Sequence, residues 1–299
     1  MTDGTMGRFW ERPAARFCAA LLAALILASI VGPILSPYGR DEQKLENQNR
    51  PPSLDHPFGT DTKGRDLMTR IFWGGRITFA VGVFAVLLSL SIGLWYGTVA
   101  GYIGGGLETV MMRCVDTLYG LPTIGYVILV ISVFEGYGVS IPFFRSHPLE
   151  WNIVLMALAL GSISWLTLSR IVRGMVLSVK EREFVAAARA MGIGRGRIMF
   201  RHIVPNIVGP VIVYTTLSMP AIMLSEALIS FLGLGIKPPE PSWGILIADG
   251  AQALIPGTIY WWMILFPALF LGVTLLALNI IGDCMRDALT TNQTSQGAK

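Results

Sequence analysis

Few residues in this chain have the type and spacing for covalent chemistry. The three histidines stand at 56, 147 and 202, too scattered for a metal cage, and no H-E-x-x-H occurs. Cys18, Cys114 and Cys284 each fall near an end of an apolar run and form neither a disulfide framework nor a zinc spacing. There is no G-x-S-x-G elbow and no G-x-x-x-x-G-K-[ST] phosphate loop. An intramembrane aspartyl hydrolase needs two facing aspartates. Asp116 and Asp283 are the candidates, Gly282 preceding the second, but both sit at ends of apolar runs, where interfacial water explains them. Asp116 pairs locally with Arg113 at i, i+3. Asp61 and Asp66 could share a cation, but Lys63 and Arg65 between them oppose it. No catalytic residue, metal ligand or bound cofactor is assigned. Glu226 differs from all of these as the one acid within an apolar run. An ionised side chain at the bilayer centre costs about 2.5–3.5 kcal/mol, so Glu226 is a candidate for a transport pathway or gate. It also lies about 28 Å along a helix from Ile207, against a core of about 30 Å, which leaves an outer interfacial position as the alternative.

The elements that carry these residues are membrane helices. The chain has 299 residues, 53% hydrophobic and 14% charged, with a mean hydropathy of +0.59. A soluble domain carries about 25% charged residues, so this is an all-α integral membrane protein whose first partner is the lipid bilayer. The net charge of +4 comes mostly from one loop. It reads as membrane topology and not as nucleic-acid binding.

Phe17–Leu35 is uncharged for 19 residues and followed by Pro37, longer than the apolar region of a cleaved leader. Before it, Arg8, Arg12 and Arg16 with Phe9 and Trp10 suit an interfacial elbow. Residues 37–76 are polar, with seven Lys or Arg and six Asp or Glu. Further spans are expected from Ile77 to near Ala100, over Cys114–Phe134, over Trp151–Ser169 and over residues 206–234, the last interrupted by Pro210 and Pro220. A sixth lies within Gly250–Gly282, with Pro256 near its start and Pro267 inside. Gly101–Gly106 reads as a tight turn, Glu135–Glu150 as a short external loop and Ser230–Gly244 as an irregular external exit. Counted over six spans, inside segments hold 3, 1, 8 and 2 Lys or Arg against 7, 1 and 1 outside. Both termini are therefore expected in the cytoplasm of a multi-pass inner-membrane protein. Trp73, Trp151, Tyr260, Trp261 and Trp262 fall at the outer interface as an aromatic belt. The expected units are residues 1–76, a core over 77–290, and a polar tail over 291–299.

Ser178–Asn206 is the polar, basic stretch between apolar runs. Lys180, Arg182, Arg189, Arg195, Arg197 and Arg201, with Arg170 and Arg173 upstream, make eight of the chain's 23 Lys and Arg. Ser178 and Glu181 read as an S-x-x-E capping box. Phe184, Ala188 and Met191 then form a narrow apolar stripe with Val185 beside it, expected to be buried only against a partner. Gly192 stands where a helix end needs positive φ. Gly194 and Gly196 make a turn, Arg197–Ile203 reads as a second short helix, and Pro205 opens the next apolar run. The stretch is thus a helix–turn–helix finger.

This run resembles the coupling loop of ABC-importer permeases, whose pattern is E-A-A-x3-G-x9-I-x-L-P. Ala187, Ala188, Gly192 and Pro205 match it, while Ala186, His202 and Val204 replace the family's Glu, Ile and Leu. Glu183, three residues earlier on nearly the same helical face, is the substitute for the missing Glu. Phe58–Asp66, Ser230–Gly244 and Asn279–Thr290 also resemble the C-type permease subunit of oligopeptide and dipeptide importers. The resemblance implies a six-helix type I (MetI-like) permease and a heterodimer with a B-type permease. It also implies two cytoplasmic ATPase subunits that use ATP and Mg, and an external substrate-binding protein. ATPase-coupling residues would be Glu183, Phe184, Ala187, Ala188, Met191, Gly192 and Pro205. Nickel chelates and sugar conjugates are alternative cargoes. The rival classes are a stand-alone channel or secondary transporter, for which no inverted repeat is found, and a membrane enzyme.

Overall fold

The computed structural model describes residues 7, 9–140, 148–254 and 259–296. His147, Pro256 and part of the Glu135–Glu150 loop lie outside these residues. Ten α-helices follow one another among the described residues: α1 Pro13–Leu35, α2 Leu67–Ile103, α3 Gly105–Tyr119, α4 Thr123–Phe134, α5 Pro148–Lys180, α6 Glu183–Ala190, α7 Arg195–Ile198, α8 Val204–Phe231, α9 Trp243–Gln252 and α10 Trp261–Gln296. No strand occurs among the described residues, only an isolated bridge between Thr60 and Asp66. Among the described residues five helices are long and apolar enough to cross a membrane. The pair α3–α4, bent by 89°, makes a sixth crossing if counted as one span.

The packing of the elbow against α10 bears on that count. Arg12 on the elbow donates to Asp287 near the end of α10 at 2.7 Å. Phe9, Ala15 and Cys18 pack with Ala277, Ile281 and Cys284 beside that pair. The elbow and the end of α10 therefore meet, an arrangement that fits an even number of crossings.

Helix α1 is peripheral: only Ala15, Cys18 and Ser29 are buried along it. It is pinned near its far end by chemistry that follows from Pro33. A helix proline lacks N–H and leaves the carbonyl four residues back without its partner. That carbonyl belongs to Ser29, and Arg76 Nε on α2 donates to it at 2.9 Å. Arg76 also bonds the Ile30 carbonyl.

Helix α2 begins earlier than the apolar run suggested, at Leu67, because Asp66 caps it. One Asp66 oxygen accepts from Thr69 N at 2.8 Å and Thr69 Oγ1 at 2.6 Å. The other meets His56 Nδ1 at 2.9 Å. At 1.5 Å per residue its 37 residues reach about 55 Å, well beyond a hydrocarbon core. Helix α5 lies along it at close range. Gly93, Gly97 and Gly101 form a stripe of small residues spaced by four, the pattern that lets membrane helices approach. A Cβ at Gly97 would stand 2.7 Å from Val172 Cβ, and one at Gly101 would stand 2.9 Å from the Arg173 carbonyl.

The third crossing is not the straight span expected over Cys114–Phe134. It breaks at Gly120–Pro122, since Pro122 cannot continue the ladder. Asp116 does not pair with Arg113. It accepts from Arg170 on α5 at 2.8 Å, and Glu108 accepts from Arg173 Nε at 2.5 Å. Two of the eight basic residues thus bind α3 to α5 instead of belonging to a free loop.

Between α8 and α10 the expected irregular exit shortens to residues 232–242, and α9 follows it. Ser242 caps α9, its Oγ accepting from Ile245 N at 3.4 Å. Trp243 is completely buried among Leu67, Ile71, Phe79, Met223 and Trp262, and donates Nε1 to the Ile71 carbonyl at 2.9 Å. The sixth span starts at Trp261, inside the expected Gly250–Gly282 run, and extends past its end. The aromatic belt is also revised. Trp151 and Trp262 are buried, Trp262 donating to the Thr60 carbonyl at 3.2 Å. Trp73 lies between the guanidiniums of Arg40 and Arg76, at 4.9 and 4.6 Å from its ring.

Candidate functional site

The finger forms at one end of α5 and α2. Ser178 and Glu181 make no capping box, because α5 runs on through Lys180 and leaves Ser178 inside a helix. Val172 and Val176, buried with Tyr102 of α2, hold this extension in place. Arg182 instead precedes α6, without a side-chain cap. Helix α6 ends as its glycine predicts. Gly192 has φ +71°, Gly192 N bonds the Arg189 carbonyl at 3.0 Å, and Ile193 N bonds the Ala188 carbonyl at 3.2 Å. These paired bonds are the Schellman arrangement, which needs left-handed geometry at the glycine.

The expected second helix over Arg197–Ile203 is not a separate element. Helix α7 passes through a π stretch, Met199–Ile203, directly into α8. Pro205 sits at the start of α8, and the widened turn relieves the clash that a proline ring makes with the preceding turn.

The apolar stripe divides. Val185 and Ala188 are buried within this chain, at 0% and 1% exposure, against Val172, Val176, Ile198 and Ile203. Phe184 and Met191 remain 42% and 71% exposed. So Ala188 is an internal packing residue and needs no partner to cover it. Glu183, Ala187, Ala190, Gly192 and Pro205 are exposed with Phe184 and Met191. Among the described residues no ion pair engages Glu183, Arg189, Arg195, Arg197 or Arg201. The finger is a fixed scaffold whose outer face carries bare cations and bare apolar side chains.

Glu226 is elsewhere, completely buried where α8 meets α2 and α9. Its carboxyl is therefore enclosed by this chain and not open to solvent or lipid. Ser230 donates to Oε1 at 2.8 Å, while Oε2 has no hydrogen-bond partner. Thr78 and Ser242 flank the carboxyl. Their oxygens accept from Trp243 N and Ile245 N in the first turn of α9. Glu226 therefore sits under the entry of α9 and reaches no surface of this chain.

A second charged cluster closes the far end of the molecule, and sequence reading missed it. Asp61 accepts from Arg65 Nε at 2.6 Å and from Arg70 Nη1 at 2.8 Å. Arg70 also reaches Asp249 of α9 at 3.2 Å, and Arg65 Nη2 lies 3.7 Å from it. Arg65, Arg70 and Asp61 are buried. Asp61 and Asp66 are thus both committed to protein partners, Asp66 as cap and His56 acceptor. Arg40 Nη1 adds hydrogen bonds to both carboxylate oxygens of Glu240, at 2.6 and 2.7 Å. The alternating acid and base of D-T-K-G-R-D-x3-R was the signal available in the sequence.

With this geometry in hand, comparison with known proteins is direct. Residues 92–293 match the family model of the binding-protein-dependent transport system inner membrane component. Residues 3–52 match the N-terminal transmembrane domain of oligopeptide transport permease C. The chain is 41% identical over 269 residues to a dipeptide transport system permease protein of Bacillus subtilis, covering 90% of this chain and 79% of that protein. It is 41% identical over 284 residues to an oligopeptide transport system permease protein of Escherichia coli K12, covering 94% and 88%. A Haemophilus influenzae oligopeptide permease is 39% identical over 284 residues, covering 94% and 86%. A six-crossing helical chain with these matches belongs to the family of inner membrane permease components of binding-protein-dependent transport systems.

Proposed function

We propose that this chain is the C-type permease subunit of an ATP-driven peptide importer. It forms half of a translocation path together with a homologous B-type permease. Two ATPase subunits hydrolyse ATP with Mg at the finger end, which makes that end, and both termini, cytoplasmic. A substrate-binding protein delivers peptide at the opposite face. The observation that carries this reading is the finger: a rigid element, locked by Val185, Ala188 and Gly192, that presents Phe184 and Met191 unburied beside uncompensated arginines. Such a surface is incomplete without a soluble partner. Glu183, Ala187 and Pro205 belong to the same contact face. Closure of the ATPases would move the finger and, through it, the spans. Glu226 serves the gate by holding the entry of α9 against α8 and α2.

The test is the reconstituted four-subunit complex with its binding protein. Peptide uptake and peptide-stimulated ATP hydrolysis are expected in the native complex. Glu226→Gln should alter uptake while assembly is retained, and unchanged uptake kinetics would remove Glu226 from the gate. Absence of peptide uptake, with uptake of a nickel chelate or sugar conjugate in its place, would overturn the cargo assignment alone.

A further inference from the structure

A groove lies at the α3–α4 break, apart from the finger and from Glu226. It encloses about 200 Å³ and is lined by Tyr119, Thr123, Ile163, Ser164 and Thr167. At about 30 Å³ per water that is room for roughly six waters or a short stretch of chain. Four of its five lining residues carry hydroxyls. Elsewhere in this protein, helical Ser and Thr turn their hydroxyls onto the carbonyl four residues back, as Ser91, Thr215, Thr216 and Thr274 do. Ser164 does the same, donating to the Leu160 carbonyl at 2.8 Å, so that its oxygen can only accept from the groove. Thr123, Thr167 and Tyr119 make no such bond among the described residues, so their hydroxyls remain open to the groove.

Its place in the membrane makes this unusual. Thr167 and Ser164 lie three and six residues along α5 from Arg170, which pairs with Asp116. Gly161, one turn beyond Ser164, meets the Ala85 carbonyl, well inside the uncharged run of α2. The groove therefore begins on the membrane side of the last charged pair. Gly120, Leu121, Pro122 and Thr123 are exposed there, and Pro122 provides no side-chain cap to α4. In hydrocarbon, irregular backbone is tolerated only where protein covers it or where it lines a water-filled cavity. Open hydroxyls beside the break suit a water-filled cavity.

We propose that the groove of Tyr119, Thr123, Ser164 and Thr167 is a contact site for the backbone of the transported peptide. The inference rests on the peptide-import reading and extends it to named residues. A hydroxyl both donates and accepts, so this lining can meet the alternating N–H and C=O groups of an extended peptide without choosing among its side chains. No charge lines the groove to select for or against acidic or basic sequences. Arg170, stacked 4.3 Å from the Tyr119 ring, marks its finger-side mouth.

The test uses single cysteines at Thr167 and at Leu158, an exposed residue outward on the same helix, in complex lacking Cys18, Cys114 and Cys284. A charged, membrane-impermeant thiol reagent is applied during ATP turnover. Thr167→Cys should react about tenfold faster than Leu158→Cys, because only the thiolate reacts and hydrocarbon suppresses ionisation. Excess transported peptide should slow the reaction. Ser164→Trp, which fills the groove, should lower uptake while peptide-stimulated ATP hydrolysis persists. Thr167→Val, which keeps the shape, should lower uptake less. Slow labelling at Thr167 with full uptake by Ser164→Trp would overturn the groove as a peptide contact. Fast labelling that peptide does not slow would also overturn it, leaving a water cavity. Either failure, in a complex that still imports peptide, leaves the import reading intact, whereas a native complex that imports no peptide removes the reading itself.

Discussion

The two ends of this molecule treat charge in opposite ways. At one end Asp61, Arg65, Arg70 and Asp249 face one another within 2.6–3.7 Å, mostly buried, and bind a loop, the start of α2 and the end of α9 into one body. At the other end the finger carries comparable numbers of charges, and Glu183, Arg189, Arg195, Arg197 and Arg201 engage in no internal ion pair among the described residues. Its apolar residues split in the same way, Val185 and Ala188 inward, Phe184 and Met191 outward. A buried charge must be paired within the fold, because taking an ion out of water costs several kcal/mol. An exposed one is free to be paired by another molecule. The closed end is therefore complete as built, and the finger is built to be completed.

The sharpest way to break this contrast is at the closed end. Arg70→Met leaves Asp61 and Asp249 with one cation between them. Removing one member of a buried pair costs about 3–5 kcal/mol. The expected outcome is a large fall in the melting temperature of purified protein and poor recovery from membranes. A melting temperature near the native one would show that the cluster is solvated and the contrast false. Ala188→Asp comes next. It places a carboxylate in the apolar contact between α6 and α5, so it should unfix the finger in the isolated chain, read as new protease cleavage near residue 190. Were the site covered only in the complex, the isolated chain would resist protease as before.

Gly192→Val is smaller. A left-handed backbone costs an ordinary residue about 1–2 kcal/mol, and a β-branched one tolerates it least. Space is not the problem, since no atom lies within 4 Å of a Cβ built there. Binding-protein-stimulated ATPase activity should fall, and Gly192→Asn, which tolerates this region better, should restore most of it. Met191→Ala has the least effect on the chain itself. An exposed truncation should change stability by less than about 0.5 kcal/mol yet lower stimulated ATPase activity in the complex. Equal loss of stability and activity would place Met191 in the internal core instead.

How much of this was legible depended on whether local rules or distant packing decided the structure. Gly192 was readable because a helix end has a local backbone requirement. Apolar run length located the membrane helices, since a bilayer imposes it. Ser178 and Glu181 satisfied a local rule and still made no cap, because Val172 and Val176 pack against α2 and extend α5 past them. Phe184, Ala188 and Met191 share a helical face by period, but the face that turns inward is set by where α5 stands, and it takes Val185 with Ala188. Helix α9 was hidden by its shortness and its Gly- and Pro-rich approach. Its anchor, Trp243, stood inside the Ser230–Gly244 stretch expected to be irregular. Glu226 was singled out by its solitude, but of its hydroxyl neighbours only Ser230 is local; Thr78 and Ser242 come from other elements.

The glycine stripe of α2 has a mechanical consequence. With Gly93, Gly97 and Gly101 seated against Leu168, Ser169, Val172 and Arg173, the two helices are in backbone contact over about two turns. Sliding one past the other would drive a side chain into a space that holds only hydrogen. The pair thus behaves as a single stiff beam about 55 Å long. The finger is attached to one end of this beam. The Asp66 cap and the Arg70 cluster are attached to the other. A push on the finger cannot be absorbed by shear between the helices, so it arrives at the far cap as rotation of the whole beam.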